Sequence, residues 1–147
     1  MIKWLCAALL VFLIIAMTLP RMVSDDPARW HVDPETAQPS DRPNSTLIAG
    51  HDAVFLPMPP EAAMMRVDAV ALADARTARL AGSPGDGHAT YIQRSAIFGF
   101  PDYISVTARA ADGGSLLSIY SRSRFGHSDL GANKARIERW LGSIEAR

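Results

Sequence analysis

The chain opens with an apolar run, residues 4–19, that only Thr18 interrupts and that one lysine and one arginine flank. Sixteen helical residues extend about 24 Å at 1.5 Å per residue, whereas the hydrocarbon core of a bilayer is about 30 Å thick. Apolar neighbours and snorkelling basic side chains can make up the difference. The run therefore predicts a membrane-spanning helix. We assign residues 1–23 as an N-terminal membrane anchor that contacts the membrane through residues 2–19.

A cleaved signal peptide is the alternative for this segment, but the best small-residue cleavage site, Ala16-Met17-Thr18, is poor. Cys6 lies too early to be a lipoprotein cysteine, and it is the single cysteine of the chain, so the remainder has no disulfide and no thiol nucleophile. A very short basic N-terminal tail usually stays in the cytoplasm. We therefore expect a single-pass protein of the inner (cytoplasmic) membrane with its domain in the periplasm.

The next stretch, residues 24–46, is rich in Pro, Asp, Ser and Thr and predicts a linker that lies along the domain. Trp30 and Val32 are apolar islands in it that can dock. Residues 47–147 are the predicted domain. Its first helix starts at Pro59-Pro60-Glu61, and apolar residues spaced by three and four carry it to about Ala75.

Three later segments, residues 88–98, 103–110 and 115–125, alternate apolar and polar positions and predict an antiparallel meander, with 77–83 as a weaker fourth strand. A last helix is predicted over residues 128–146. Its apolar arc, which should cover the sheet, consists of Leu130, Ile137, Leu141 and Ile144.

The predicted fold class is therefore α+β: an antiparallel sheet of three to four strands with two helices packed on one face, preceded by an N-terminal transmembrane helix. The other face of the sheet is left polar, and we expect it to contact a partner or ligand. Its residues are Tyr103, Ser105, Thr107, Tyr120, Arg122 and Arg124.

Charge is unevenly distributed, although the formal net charge is zero. Residues 24–87 hold five arginines against ten acidic residues, and residues 88–147 hold eight basic against five acidic residues. A nucleic-acid-binding domain would show a clustered basic face and a high isoelectric point. We therefore expect no nucleic-acid partner.

The junction of the last strand and the last helix, residues 121–136, carries the richest set of polar side chains. A helix N-terminus beside guanidinium groups suits phosphate, sulfate or carboxylate. The alternative is a structural lock, in which Asp129 caps the helix and Arg136 pairs with Asp102 or Asp129. The candidate ligand-binding residues are Arg122, Arg124, His127, Ser128, Asp129, Asn133 and Arg136.

Catalysis is the weaker functional hypothesis. His127 and Asp129 could serve a hydrolase-like enzyme on a phosphorylated or acidic envelope molecule, with His127 as general base and the nearby arginines holding the anion. The sequence lacks a Gly-x-Ser-x-Gly elbow, paired metal ligands and a nucleotide-binding loop. We therefore expect no cofactor and no metal, and a non-enzymatic binding or assembly module. Its expected partner is an anionic small molecule or an envelope protein.

Three motifs resemble one known family. They are Tyr91-Ile92-Gln93-Arg94-Ser95, Gly99-Phe100-Pro101-Asp102-Tyr103-Ile104-Ser105-Val106 and Ser121-Arg122-Ser123-Arg124-Phe125-Gly126-His127-Ser128-Asp129-Leu130-Gly131-Ala132-Asn133. In these residues the chain resembles the domain of unknown function 1499 family over about residues 47–144. The resemblance implies a small, often membrane-associated bacterial domain with no assigned activity, so it transfers no catalytic residues.

Overall fold

A computed structural model describes residues 2–146. The apolar run forms helix α1 (Ile2–Thr18), and a short 3₁₀ turn, Leu19–Arg21, follows it. None of the residues of α1 is buried against the rest of the described chain. Together with the turn, the helix is long and apolar enough, by length and composition, to cross a membrane.

The sheet contains six antiparallel strands in the order β1-β6-β5-β4-β3, and β2 also pairs with β6. The strands are β1 (Ser45–Ile48), β2 (Val54–Leu56), β3 (Thr77–Ser83), β4 (His88–Arg94), β5 (Pro101–Ala111) and β6 (Gly114–Ser123). The other helices are α2 (Pro27–Trp30), α3 (Pro60–Ala73) and α4 (Ala132–Glu145). The α+β class is confirmed.

The predicted number of three to four strands is wrong, because β1 and β2 add to the sheet. Ser45 pairs with Arg122, and Val54 pairs with Leu117. These strands have only four and three residues, so neither is long enough to show a clear alternation of polar and apolar positions. Their pairing with β6 depends on contacts distant in sequence. The weaker strand candidate is β3.

Helices α3 and α4 pack together on one face of the sheet. Their buried residues, such as Val67 and Ile137, meet Ile104 and Ile119 from the central strands. Trp140 of α4 is 2 % exposed and meets Tyr91 edge-on, with ring centroids 5.8 Å apart. This face is the main hydrophobic core, and it fixes the position of α4 relative to the end of β6.

The predicted start of the last helix is wrong. Helix α4 begins at Ala132, and Leu130 is 96 % exposed rather than part of the apolar arc. Leu130 and Gly131 both have positive φ values, 54° and 82°. Such backbone is left-handed and cannot continue a right-handed helix, so the chain turns there before α4 begins.

The polar face of the sheet is covered, so it is not available as the contact surface that the sequence led us to expect. Residues 24–38, which we call the strap, run across it. Trp30 stacks on Tyr103 with ring centroids 3.9 Å apart, and Tyr120 donates a hydrogen bond to the Gln38 carbonyl at 3.1 Å. Ser118 also donates to the Glu35 carboxylate. The docking expected of Trp30 therefore occurs, and the strap buries most of the face.

Candidate functional site

The end of β6 sends the sequence-predicted site residues to opposite faces of the sheet. Ser121 donates to Asn133 of α4 at 2.6 Å, whereas Arg122 donates to the Trp30 carbonyl in the strap. Successive side chains of a strand point to opposite faces. The seven candidates therefore do not converge on one corner. Asn133 and Arg136 lie between α4 and the sheet, whereas Arg122 lies under the strap and Arg124 beside it.

Arg136 lies at the centre of a buried hydrogen-bond network under α4. Its side chain is 6 % exposed and forms a 2.6 Å ion pair with Asp102. It also donates to Gln93 Oε1 at 2.6 Å, to Ser121 Oγ at 2.9 Å and to Asn133 Oδ1 at 2.7 Å. All three nitrogens of the guanidinium group therefore have acceptors within the fold. This geometry matches the structural lock, since no nitrogen is free for a ligand.

Asn133 is fully buried and links the loop, the sheet and the helix. Its amide nitrogen donates to the Asn44 carbonyl at 3.0 Å and to Asp129 Oδ2 at 2.7 Å. Asp129 also accepts from the backbone N–H groups of Gly131 and Asn133 at 3.1 and 2.8 Å. Burial opposes its charge, but these hydrogen bonds outweigh burial and lower the pKa of Asp129. Asp129 is thus the carboxylate that accepts from the Gly131 N–H just before α4 and from the Asn133 N–H in its first turn.

Arg122 lies on the other face and is 8 % exposed. Its guanidinium carbon lies 4.6 Å from the Tyr120 ring centroid and 5.5 Å from that of Trp30, and Ser105 Oγ accepts from it at 3.4 Å. Burial lowers the pKa of Arg122 to about 10, so it stays charged at neutral pH. Aromatic faces and neutral oxygens stabilise this cation, and the strap separates it from solvent.

Arg124 lies at the edge of the strap. It donates to the Ser24 carbonyl at 2.7 Å and to the Tyr103 hydroxyl at 3.3 Å. That hydroxyl in turn donates to Asp25 at 2.6 Å, and burial together with this carboxylate raises the pKa of Tyr103 to about 12. Arg94 forms the ion pair with Asp25. Arg124 remains partly exposed.

The loop from residue 124 to residue 131 carries the two remaining candidates. His127 is exposed, and within residues 2–146 no side chain forms a hydrogen bond with its ring. Ser128 Oγ accepts from the Leu130 N–H at 3.2 Å. Because Asp129 is occupied by the start of α4, the structure does not pair His127 with a carboxylate that could orient it.

A cavity of about 350 Å³ opens between this loop and the β4–β5 loop. Its lining combines hydroxyl groups, two carboxylates and two aromatic rings, from Ser95, Phe100, Asp102, Ser123, Phe125, Gly126, Ser128, Asp129 and Ala132. Of the seven candidates, only Ser128 and Asp129 line it. Nowhere in residues 2–146 do three His, Cys, Asp or Glu side chains come together in a group that could hold a metal ion.

A model of the family described as "Protein of unknown function (DUF1499)" matches residues 23–144. The chain belongs to this family. No curated protein matches it. Among solved structures it is similar to a crystal structure of a protein from Chromobacterium violaceum, with 19 % sequence identity over 70 % of this chain and 94 % of that chain, and a TM-score of 0.49. The family match includes the strap as well as the sheet.

The apolar residues of the β4–β5 loop of this DUF1499 protein were not predicted as a surface feature. Phe98 was assigned to a strand, but β4 ends at Arg94. Ile97, Phe98 and Phe100 instead lie in the β4–β5 loop with 64 %, 36 % and 39 % of their surface exposed. The signal available was the run Ile-Phe-Gly-Phe-Pro, whose glycine and proline indicate a turn. Large apolar residues in such a turn are unusual enough to indicate a contact surface.

Proposed function

We propose that this DUF1499 protein is a single-pass protein of the cytoplasmic membrane whose α+β domain lies on the periplasmic side and acts as a non-enzymatic binding or assembly module. The apolar helix α1, which has no buried residue, supports the anchor. The short N-terminal tail with Lys3 supports an orientation with the N-terminus in the cytoplasm.

The observation that carries this proposal is the attachment of the chain to the sheet directly after α1. Arg94 donates to the Pro20 carbonyl at 3.0 Å and pairs with Asp25, and Trp30 follows in its stack on Tyr103. A flexible linker would let the domain move freely above the membrane. The strap instead holds the domain at a fixed height and orientation, as expected of a module that presents one surface at the membrane.

The proposed ligand is an anionic group at the cavity beside the 124–131 loop. Arg124 is the candidate cation that keeps solvent exposure, and His127 is an exposed imidazole on the same loop. In the chain Arg124 lies between Ser123 and Phe125, which line the cavity together with Ser128. Asp102 pairs with Arg136, and Asp129 accepts three hydrogen bonds. The ion pair compensates the charge of Asp102, whereas Asp129 stays ionised and its three hydrogen bonds only disperse its charge.

Two measurements test the anchor and its orientation. Membrane fractionation of the full-length protein should leave it in the pellet after alkaline washing and release it with detergent. Protease added outside intact spheroplasts should digest the domain, whereas an N-terminal tag should stay protected. Recovery of the full-length chain in the soluble fraction, or protection of the domain, would refute the proposal.

The ligand is tested by melting full-length protein in detergent with sodium phosphate against sodium chloride of equal ionic strength. A ligand that binds only the folded state raises the melting temperature. Arg124→Gln should abolish that rise. Arg109→Gln is the matched control, because Arg109 is an exposed arginine at the other end of β5. No rise with phosphate, or the same rise in both variants, would contradict an anion site at this cavity.

A further inference from the structure

Four exposed apolar side chains of the domain gather at one end of the sheet. Ile97, Phe98, Phe100 and Phe125 come from the β4–β5 loop and from the loop after β6, and we call them the apolar rim. Ring centroids lie 5.6 Å apart for Phe98 and Phe100 and 5.7 Å apart for Phe100 and Phe125. Each rim residue exposes between 36 % and 64 % of its surface. A contiguous apolar patch of this kind on a folded domain indicates a contact surface.

The rim lies directly beside the end of α1. Arg21, in the turn after α1, donates to the Ile97 carbonyl at 2.9 Å and to the Met17 carbonyl, so it joins the β4–β5 loop to the helix. Phe100 and Phe125 also line an apolar cavity of about 310 Å³ whose other wall is the C-terminal half of α1 and the following turn. The rim and α1 therefore form one continuous apolar surface.

The length of α1 places this surface at the level of the bilayer boundary. Its 17 residues span about 25 Å, which is about 5 Å less than a typical hydrocarbon core. Trp4 marks the opposite end of the helix and is 81 % exposed, as expected of an interfacial anchor. The residues level with the end of α1 thus lie where acyl chains meet headgroups.

We propose that the apolar rim inserts into the outer leaflet beside α1, so that the domain lies on the lipid surface rather than standing away from it. This inference rests on the proposed membrane anchor. Continuity with α1 favours lipid over a protein partner, because any surface continuous with a spanning helix meets lipid first. Arg124, on the loop that carries Phe125, supplies a cationic group beside the rim that suits lipid phosphates, and His127 on the same loop can hydrogen-bond to them.

The test uses full-length protein in vesicles of phosphatidylcholine and phosphatidylglycerol, with an environment-sensitive NBD fluorophore attached to single cysteines. Ile97→Cys and Phe125→Cys report on the rim in a Cys6→Ser background. Phe55→Cys is the matched control, because Phe55 is an equally exposed aromatic residue, at 50 %, and lies about 30 Å away near the β5–β6 hairpin. The native Cys6, exposed on α1, reports on the anchor itself.

The expected result is loss of most NBD emission at positions 97 and 125 when the lipids carry a nitroxide near the headgroup, with little loss at position 55. If the nitroxide quenches NBD at Cys6 but quenches it no more at positions 97 and 125 than at position 55, lipid insertion of the rim is refuted. The membrane anchor is then still supported. Shielding of 97 and 125 from both lipid nitroxide and aqueous iodide would also overturn lipid insertion, in favour of a protein partner or a second copy. An unquenched Cys6 would refute the anchor and the insertion together.

Discussion

Replacing Arg136 is the sharpest test of whether the strand–helix corner is a structural lock. Arg136→Ala removes a side chain that is 6 % exposed and leaves the Asp102 carboxylate, 18 % exposed, without its cation. Breaking a buried ion pair by removing one partner costs about 3–5 kcal/mol. The loss includes the hydrogen bonds to Gln93, Ser121 and Asn133. We expect the melting temperature of the domain to fall by about 10–20 °C.

The matched control lies one turn further along the same helix. Arg139 pairs with Asp74 at 3.2 Å, but its side chain is 57 % exposed. An exposed ion pair contributes about 0–1 kcal/mol, so Arg139→Ala should change the melting temperature little. Both variants are melted as full-length protein in detergent and followed by circular dichroism. If the free energies of unfolding of Arg136→Ala and Arg139→Ala differ by less than about 1 kcal/mol, the lock is refuted and Arg136 becomes available as a ligand-binding group.

A double-mutant cycle separates the ion pair from the rest of the network. Asp102→Asn should destabilise the protein by about 1–3 kcal/mol, because the neutral amide keeps only part of the interaction. The variant that combines Asp102→Asn with Arg136→Met should lose less than the sum of its two single changes, with a coupling of about 1–3 kcal/mol. Additive losses would show that Arg136 stabilises the corner by packing and not through Asp102.

Three further outcomes follow from the strap and the helices. Trp30→Ala removes a buried ring and should cost about 3–5 kcal/mol and speed proteolysis of the strap; a variant that melts with wild type would contradict the strap's docking. Burial, and then the stacked His88, lower the pKa of His31 from 6.5 although Asp86 opposes this, so the folded state disfavours protonation. The contribution of His31 to the free energy of unfolding should therefore be fully present above pH 6.5 and be lost as the pH falls below that value. His31→Gln should reduce this pH dependence of stability; an unchanged dependence would show that other groups cause it. A Cβ added at Gly142 has no other atom within 4 Å, so Gly142→Ala should stabilise the protein by about 0.5–1 kcal/mol through α4, measured in a denaturant titration. A destabilised variant would contradict this.

Much of the fold follows from periodicity in the sequence. Helix α3 and strands β4 to β6 were predicted because their polar and apolar residues repeat at helical or strand spacing. Strands β1 and β2 were missed because each is too short to show a period and lies between prolines. Their place in the sheet is decided by pairing with β6, which is a long-range interaction that a local pattern does not encode.

The candidate site was predicted in part. Asn133 and Arg136 lie on one face of α4, since residues three apart share a helix face, and Asp129, which precedes the helix, accepts from the Asn133 side chain. The expectation that Arg122 joins Asn133 and Arg136 in one site was wrong, because successive side chains of a strand point to opposite faces. Arg122 alternates with Ser121, so only one of them can face α4. The burial of Arg122 under the strap depends on tertiary packing that the sequence pattern does not show.

The strap also explains why the second face of the sheet is polar without being a binding surface. A proline-rich segment that crosses a sheet without joining it leaves its backbone carbonyls unpaired, and buried carbonyls need donors. The sheet supplies donor side chains: the strap carbonyls of Ser24, Trp30, Val32 and Gln38 accept from Arg124, Arg122, His88 and Tyr120 respectively. Just before the strap, the Pro20 carbonyl accepts from Arg94 in the same way. Arginine, tyrosine and histidine on this face thus match the strap's requirement for donors. A ligand surface should therefore be sought at the end of the sheet beside α1, where the rim and the cavity remain exposed.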